Sequence, residues 1–373
     1  MRINILVTND IRFDQRMIRI AYTLHKSGYQ IQMTGRKKKN SAPLSDYPFQ
    51  THLIHCFFTK GMAFYLEFNL RLFIYLIKCR TSLIYAVDLD TMPASYLYHL
   101  VFSIPFVFDS HEYFTEVPEL QKHPVKKKIW EILGKISIPA ATFSFTVSES
   151  LAVQLKQKYK VPFITLRNVP SKKSPVMIDL NQRRERRWIY YQGMLNEGRG
   201  IAFLIQTMVL LPSWTLILAG DGDEIIELKQ LVKQLGLNKQ VIFKGMIEPG
   251  ELTELGKMAW IGINLLEKNS LSYYYSLANK TFDYMQARLP AIHIDFPEYR
   301  LLAKENKCIL LLEKMDSSLL VELIENAWRD TKWYESMVSD TEKAAATYIW
   351  EEEEKKLLAP FLFHFPLSRD TLQ

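Results

Sequence analysis

Residues 270–287 read SLSYYYSLANKTFDYMQA, a polar, aromatic loop running into a helix through Ala278, Asn279 and Lys280. A helix start presents N–H groups with no partner inside the helix, and with a cation beside them it suits a diphosphate. Upstream, residues 216–224 read LILAGDGDE, an apolar strand ending in a small, acidic Gly-x-Gly turn. Gly220 and Gly222 allow a tight turn and close backbone approach, at the sheet edge where α/β proteins gather their ligands. Together the two segments describe a site for a nucleoside diphosphate compound.

Other residue types invite metal or acid–base chemistry. His111 lies in DSHEYF just beyond the strand PFVFD, at a carboxyl sheet edge, with Asp109 placed to orient it or to cap the turn. Asp88-Leu89-Asp90 and Asp221-Gly222-Asp223 both read Asp-x-Asp, which near a strand end can aim two carboxylates at one cation. Three-residue matches of this kind arise by chance, and two equal matches in one chain weaken each, so no metal is expected. His52 and His55 lack a metal context, whereas Tyr273, Tyr274 and Tyr275 are placed to line a ligand cleft.

These residues need a scaffold of alternating strands and helices, and the pattern supplies two successive α/β halves. Residues 3–7, 31–35, 83–87, 105–109, 142–147 and 162–166 read as short apolar strands of a parallel sheet. Ser148 is placed to cap the helix that follows. The stretch 168–187 has two prolines, Pro170 and Pro175, charge at nearly every turn and no apolar period, and reads as a linker. Strand patterns resume at 188–192, in WTLILAG and VIFKG, and at 261–266, 291–295 and 308–312, and the tail TEKAAATYIWEEEEKKLLAPFLF reads as helical. The expected domains are 1–170 and 188–345 around a linker at 171–187, with a C-terminal helix at 346–373 crossing back to the first domain. Two doubly wound halves point to ligand binding in the cleft between them.

Composition agrees with this frame. A chain of 373 residues with 48% apolar and 23% charged residues is an ordinary globular protein of two domains. Cys56, Cys79 and Cys308 are far apart, which suggests reduced thiols in a cytosolic protein. MRINILVTND does not read as a signal peptide, and the apolar stretch 61–79 is interrupted by Glu67, Asn69 and Arg71, which disfavours a membrane span. Charge is uneven: 24 Lys and Arg face 12 Asp and Glu through Pro175, against 23 and 28 beyond it. The basic clusters at 36–39 and 126–128 are either solvated faces or a surface for an anionic partner, such as acidic lipid head groups or a phosphate-bearing acceptor. No nucleic-acid signature accompanies them.

The ordered set of motifs resembles the retaining glycosyltransferases of the GT-B fold, family four, the "group 1" glycosyl transferases. The likeness runs through VTNDIRFDQRM, FDSHEYFTE, YYQGMLNEGRG, LILAGDGDE, VIFKG and NKTFDYMQARLPAI. It implies transfer of a hexose-type unit, with retention and without a metal or other cofactor, from a nucleotide-sugar on the C-terminal half. The acceptor is then a glycan or lipid-linked intermediate of surface polysaccharide synthesis, bound by the N-terminal half of a cytoplasmic enzyme that works at an inner membrane face. The resemblance gives Arg199 and Lys280 the donor diphosphate, Gly193, Gly220, Gly222 and Asn279 its surroundings, Asp283 the ribose, and His111 a place near the transferred sugar. Two positions depart from the pattern. Met194 stands where many relatives carry a further arginine. Tyr275 stands where the first of two acids should meet the sugar, leaving Tyr275 or Ser276 to make that contact. These departures keep a second reading open, a GT-B-shaped binding protein without activity.

Overall fold

The computed structural model describes residues 1–38, 46–173 and 177–367. Lys39 of the first basic cluster and residues 174–176 of the linker lie outside the described residues. The chain forms two compact units, one of Met1–Asn168 joined by the segment from Glu353 onwards, the other of Val169–Glu352.

In the first unit, β1 (Arg2–Leu6), β2 (Gln30–Arg36), β3 (Gln50–Ile54), β4 (Leu83–Val87), β5 (Phe106–Ser110), β6 (Ser144–Thr146) and β7 (Ile164–Thr165) form one sheet. It is parallel throughout, in the order β3-β2-β1-β4-β5-β6-β7. Every residue of β4 and β5 is buried, as expected of parallel strands covered on both faces. The helices are α1 (Gln15–Lys26), α2 (Gly61–Cys79), α3 (Met92–Phe102), α4 (Pro118–Gln121), α5 (Pro124–Ser137) and α6 (Glu149–Tyr159). Asp14 and Ser148 cap α1 and α6 through the N–H groups of Met17 and Leu151. β3 has no counterpart in the sequence reading because QTHLI is an edge strand, half-exposed and without an apolar run.

The second unit repeats the plan. β8 (Trp188–Gln192), β9 (Thr215–Ala219), β10 (Val241–Gly245), β11 (Ile261–Asn264), β12 (Ala291–Ile294) and β13 (Ile309–Leu312) pair in the order β10-β9-β8-β11-β12-β13. Around them lie α7 (Leu180–Arg186), α8 (Ile201–Thr207), α9 (Ile225–Gln234), α10 (Pro249–Met258), α11 (Leu271–Tyr274), α12 (Lys280–Gln286), α13 (Pro297–Glu305), α14 (Ser317–Arg329) and α15 (Thr331–Thr347). In each sheet the direction of strand succession reverses once, between β1 and β4 and between β8 and β11. Such a reversal splays the flanking connections apart and leaves a crevice at the carboxyl ends of those strands.

Two stretches differ from expectation. The apolar-poor segment 168–187 contains α7, because Asp179 caps it and Arg183 anchors it from inside. The Arg183 guanidinium is buried and donates to the carbonyls of Gly256, Lys257, Ala287 and Arg288 at 3.3, 2.6, 2.9 and 2.7 Å. These oxygens lie at the C-terminal ends of α10 and α12, where a cation is favoured. The helical tail is broken at Tyr348 and Ile349 into α15 and α16 (Trp350–His364). Past Glu353, α16 packs within the first unit: Phe361 stacks on Tyr85 with 6.2 Å between ring centres, and the Tyr29 hydroxyl donates to the Phe365 carbonyl.

Arg183→Met keeps an apolar stem but strands four carbonyls. A charge-assisted hydrogen bond contributes about 1.5–3 kcal/mol, so urea unfolding of the variant is expected to show a loss of at least about 3 kcal/mol. An unchanged midpoint and slope would remove the anchoring role.

Candidate active site

At the reversal in the second sheet, two glycine turns touch. Gly193 ends β8 with φ 130° and Gly220 ends β9 with φ 139°, backbone states that side-chain-bearing residues rarely adopt. A Cβ on Gly220 would overlap the Gly193 carbonyl, and one on Gly222 would overlap the Leu195 carbonyl. The paired turns are tied by bonds from Gly193 N–H to the Ala219 carbonyl and from Leu195 N–H to the Asp221 carbonyl, both 2.9 Å.

Lys280, the first residue of α12, uses the space that Gly193 leaves. Its Nζ lies 3.3 Å from where a Cβ at position 193 would sit, and 3.6 Å from the centre of the Tyr191 ring. The side chain is buried. Burial and the nearby Arg199 charge hold its pKa well below the ordinary lysine value, with Asp283 opposing. The Arg199 guanidinium stacks on Tyr273 at 4.9 Å, and its Nε is buried without a hydrogen bond. Among the described residues neither cation has a carboxylate within ion-pair distance.

Asp283 lies one turn into α12, where its Oδ2 accepts from Gln192 at 2.8 Å. Asn279 occupies the N-cap position without capping through its side chain. Tyr275 follows α11 and is partly exposed, while the Ser276 hydroxyl donates to the Tyr273 carbonyl. Met194 is half-exposed, and its carbonyl accepts from the Tyr191 hydroxyl at 2.8 Å. Beneath the loop, His293 lies on Tyr299 and pairs with Asn264 at 3.1 Å. Its pKa is pushed down to about 3, by burial first and then by Lys280. The Tyr299 hydroxyl in turn accepts from the Ala278 N–H. Tyr191, Gln192, His293 and Tyr299 escaped the sequence reading because inside strands and helices they read as ordinary core.

The first unit gathers a separate cluster at its own reversal. Asp109, the fourth residue of β5, is fully buried, accepts Arg16 in a two-pronged bond at 3.1 and 2.9 Å, and accepts the Tyr85 hydroxyl at 2.8 Å. Desolvation alone would raise this carboxyl, but Arg16 and His111 hold it below the usual range. His111 reaches Asp109 through Nε2 at 3.7 Å and Asp88 through Nδ1 at 3.8 Å, while its N–H donates to Asp88 at 2.9 Å. Burial lowers its pKa, but the flanking carboxylates outweigh that and raise it to about 9. Asp88 takes an unusual φ of 53°. Burial raises the pKa of Asp88 and brings that of Asp90 to about 7. Asp90 accepts from the Thr8 hydroxyl, so both carboxylates of the first Asp-x-Asp pair meet protein donors, and in the second pair Asp221 accepts from the Gly222 N–H. No group of three or more metal-ligating side chains occurs among the described residues. His52 stacks on Tyr75.

Residues 177–344 match the family described as "Glycosyl transferases group 1". Similar solved structures span nearly the whole chain. Sucrose-phosphate synthase from Thermosynechococcus elongatus is 16% identical, with 97% of this chain and 99% of that one covered, at a TM-score of 0.82. HepE from Anabaena, solved with UDP and glucose, is 14% identical over 96% and 98% at 0.72. WaaG, a glycosyltransferase of lipopolysaccharide biosynthesis, is 13% identical over 97% and 100% at 0.71. No curated protein matches by sequence. The fold is GT-B, and the match to the group 1 glycosyl transferases lies within its second unit.

The His111 pKa of about 9 lies above its free value of 6.5. Its stabilising contribution is therefore complete below pH ~6.5 and is lost as the pH rises through about 9. His111→Gln is expected to be less stable than the parent at pH 6 and to converge with it above pH ~9. Chemical denaturation at both pH values checks this, and a difference independent of pH would refute the charged state.

Proposed function

We propose that the chain transfers a hexose-type sugar, with retention and without a metal, from a nucleoside diphosphate sugar to a glycan or lipid-linked acceptor of surface polysaccharide synthesis. The observation that carries the reading is the pair Lys280 and Arg199, two neighbouring cations on tyrosine rings with, among the described residues, no carboxylate within ion-pair distance and only the more distant Asp283 opposing. Keeping an ammonium buried in this way costs stability, and a diphosphate would restore its balance. HepE, solved with UDP and glucose, shares the fold.

On this reading the two cations neutralise the charge that grows on the departing diphosphate, the type of fixed electrostatic stabilisation that usually dominates catalysis. Gly193, Gly220 and Gly222 keep side chains out of the phosphate path. Asp283, steadied by Gln192, accepts from a ribose hydroxyl, and Tyr275 and Ser276 offer hydroxyls to the sugar. His111, clamped as an imidazolium by Asp109 and Asp88, is assigned to the reacting sugar. The acceptor is met at an anionic membrane face.

Met194 and Tyr275 favour a second reading, a binding protein without turnover. Release of a radiolabelled sugar from its nucleotide, to water or to an acceptor, separates the two.

Arg199→Ala or Lys280→Ala should each weaken UDP or GDP binding by about 1.5–3 kcal/mol, the worth of a charge-assisted bond. Calorimetric titration measures it, and unchanged affinity in both variants would sink the assignment. Turnover is also expected to survive EDTA, since the proposed counter-charges are Lys280 and Arg199. Loss on chelation with rescue by Mg²⁺ or Mn²⁺ would turn attention to Asp88 and Asp90.

A further inference from the structure

Helices that cover a sheet normally turn apolar residues inward and polar ones to water. α6 obeys, exposing Glu149, Lys156 and Gln157 beside Val153. Three other helices of the first unit do not. On α2, Phe64, Phe68, Leu72 and Leu76 are buried, yet Leu66, Leu70, Ile74 and Ile77 are exposed. Their spacing of four, four and three residues sets them on one stripe at 100° per residue. On α5 the exposed stripe is Val125, Ile129, Ile132 and Ile136, spaced four, three and four residues apart and so again on one helical face. On α3 all the exposed residues, Leu97, Leu100, Val101 and Phe102, are apolar.

The three helices adjoin: α3 packs on both α2 and α5, Phe73 meets Tyr98 across the first pair, and Tyr65 meets Trp130 directly between α2 and α5. Leu66 and Val125 are 75% and 74% exposed, far beyond the scattered apolar contacts of an ordinary surface. Before α2, Phe57 and Phe58 stand in solvent on a turn whose N–H groups are held by Glu67, which also binds Arg71.

Charge surrounds this face. Lys60 and Arg80 flank α2 and Lys78 lies on it, while Lys122 precedes α5 and Lys128 and Lys135 lie on it, all exposed. The acidic residues of the same segments are Glu67, already engaged, and Glu119 and Glu131. No helix among the described residues is long and apolar enough to cross a membrane. We propose that the joined outer faces of α2, α3 and α5 are a docking surface for an anionic lipid bilayer. Their apolar stripes enter the boundary of the acyl chains, and the surrounding lysines and arginines meet the head groups. A second copy of the chain fits less well, because a two-fold contact would bring one basic rim against another. The proposal extends the membrane clause of the proposed function and stands apart from its donor chemistry.

The test uses the full chain, with vesicles of phosphatidylcholine alone or mixed with phosphatidylglycerol, and three variants at exposed positions. These are Leu66→Glu with Leu70→Glu, Val125→Glu with Ile129→Glu, and Lys128→Glu with Lys135→Glu. The parent should co-sediment with the anionic vesicles, more weakly at high salt, and each variant should lose about tenfold or more of that binding. UDP affinity, measured alongside, should stay at the parental value, which reports folding and separates this surface from the donor site. Equal binding by parent and variants, or no binding to anionic vesicles, would overturn the proposal. So would a parental dimer in sedimentation velocity that the leucine variants split without any vesicle binding.

Discussion

A buried ammonium without a carboxylate partner sets the terms for the second unit. Lys280 packs closely over Gly193, where a Cβ would crowd its Nζ at 3.3 Å, and Gly193 can turn there only because Gly220 lets the next strand's turn press against it. Tyr191 floors the site, and its hydroxyl is fixed by the Met194 carbonyl. The ring face stabilises a cation electrostatically but supplies no negative charge, so the ammonium remains under-compensated. That residual imbalance is chemically useful, because the loop with the greatest need of an anion is then the loop most able to hold one.

The first unit balances its charges differently. Arg16 and Asp109 are buried together, and removing either would leave a bare charge in a low-dielectric interior. Asp109 thereby stays ionised next to His111, whose second nitrogen faces Asp88. Arg16 comes from α1 and Asp109 from β5, so this one pair connects the start of the unit to its central strand. It also fixes the charge state of the histidine at the sheet edge.

What the sequence made legible was what leaves a local signature. Gly-x-Gly after an apolar strand, Asn-Lys before a helix, and alternating strand and helix periods all depend on neighbours in sequence, and they led to the GT-B architecture and to the loop carrying Lys280. What escaped depends on distant partners. Tyr191 reads as a core tyrosine until Lys280 lies over it. Nothing around Arg16 in the sequence marks its partner, because β5 brings Asp109 to it from 93 residues on. Arg183 sits among so many charges that its stretch reads as linker, although its function is to gather carbonyls from two helix ends. The outward stripe on α5 has a faultless helical period, but periodicity reports that one face differs and is silent about which face meets the sheet.

The departure at Met194 is consistent with the physics of this site. Burial and then Arg199 already depress the pKa of Lys280, and a second arginine beside Gly193 would add like charge to a buried ammonium that has no carboxylate within ion-pair distance. A neutral side chain at 194 limits the repulsion while leaving the carbonyl free to hold Tyr191. Tyr275 follows the same logic in reverse. It brings a hydroxyl and no carboxylate to the loop between α11 and α12, which on the proposed reading serves a sugar oxygen without adding negative charge to the loop. Two uncharged residues at these positions therefore add neither a carboxylate nor a further cation to the loop, and on the proposed reading donor recognition rests more on the phosphates than on the sugar.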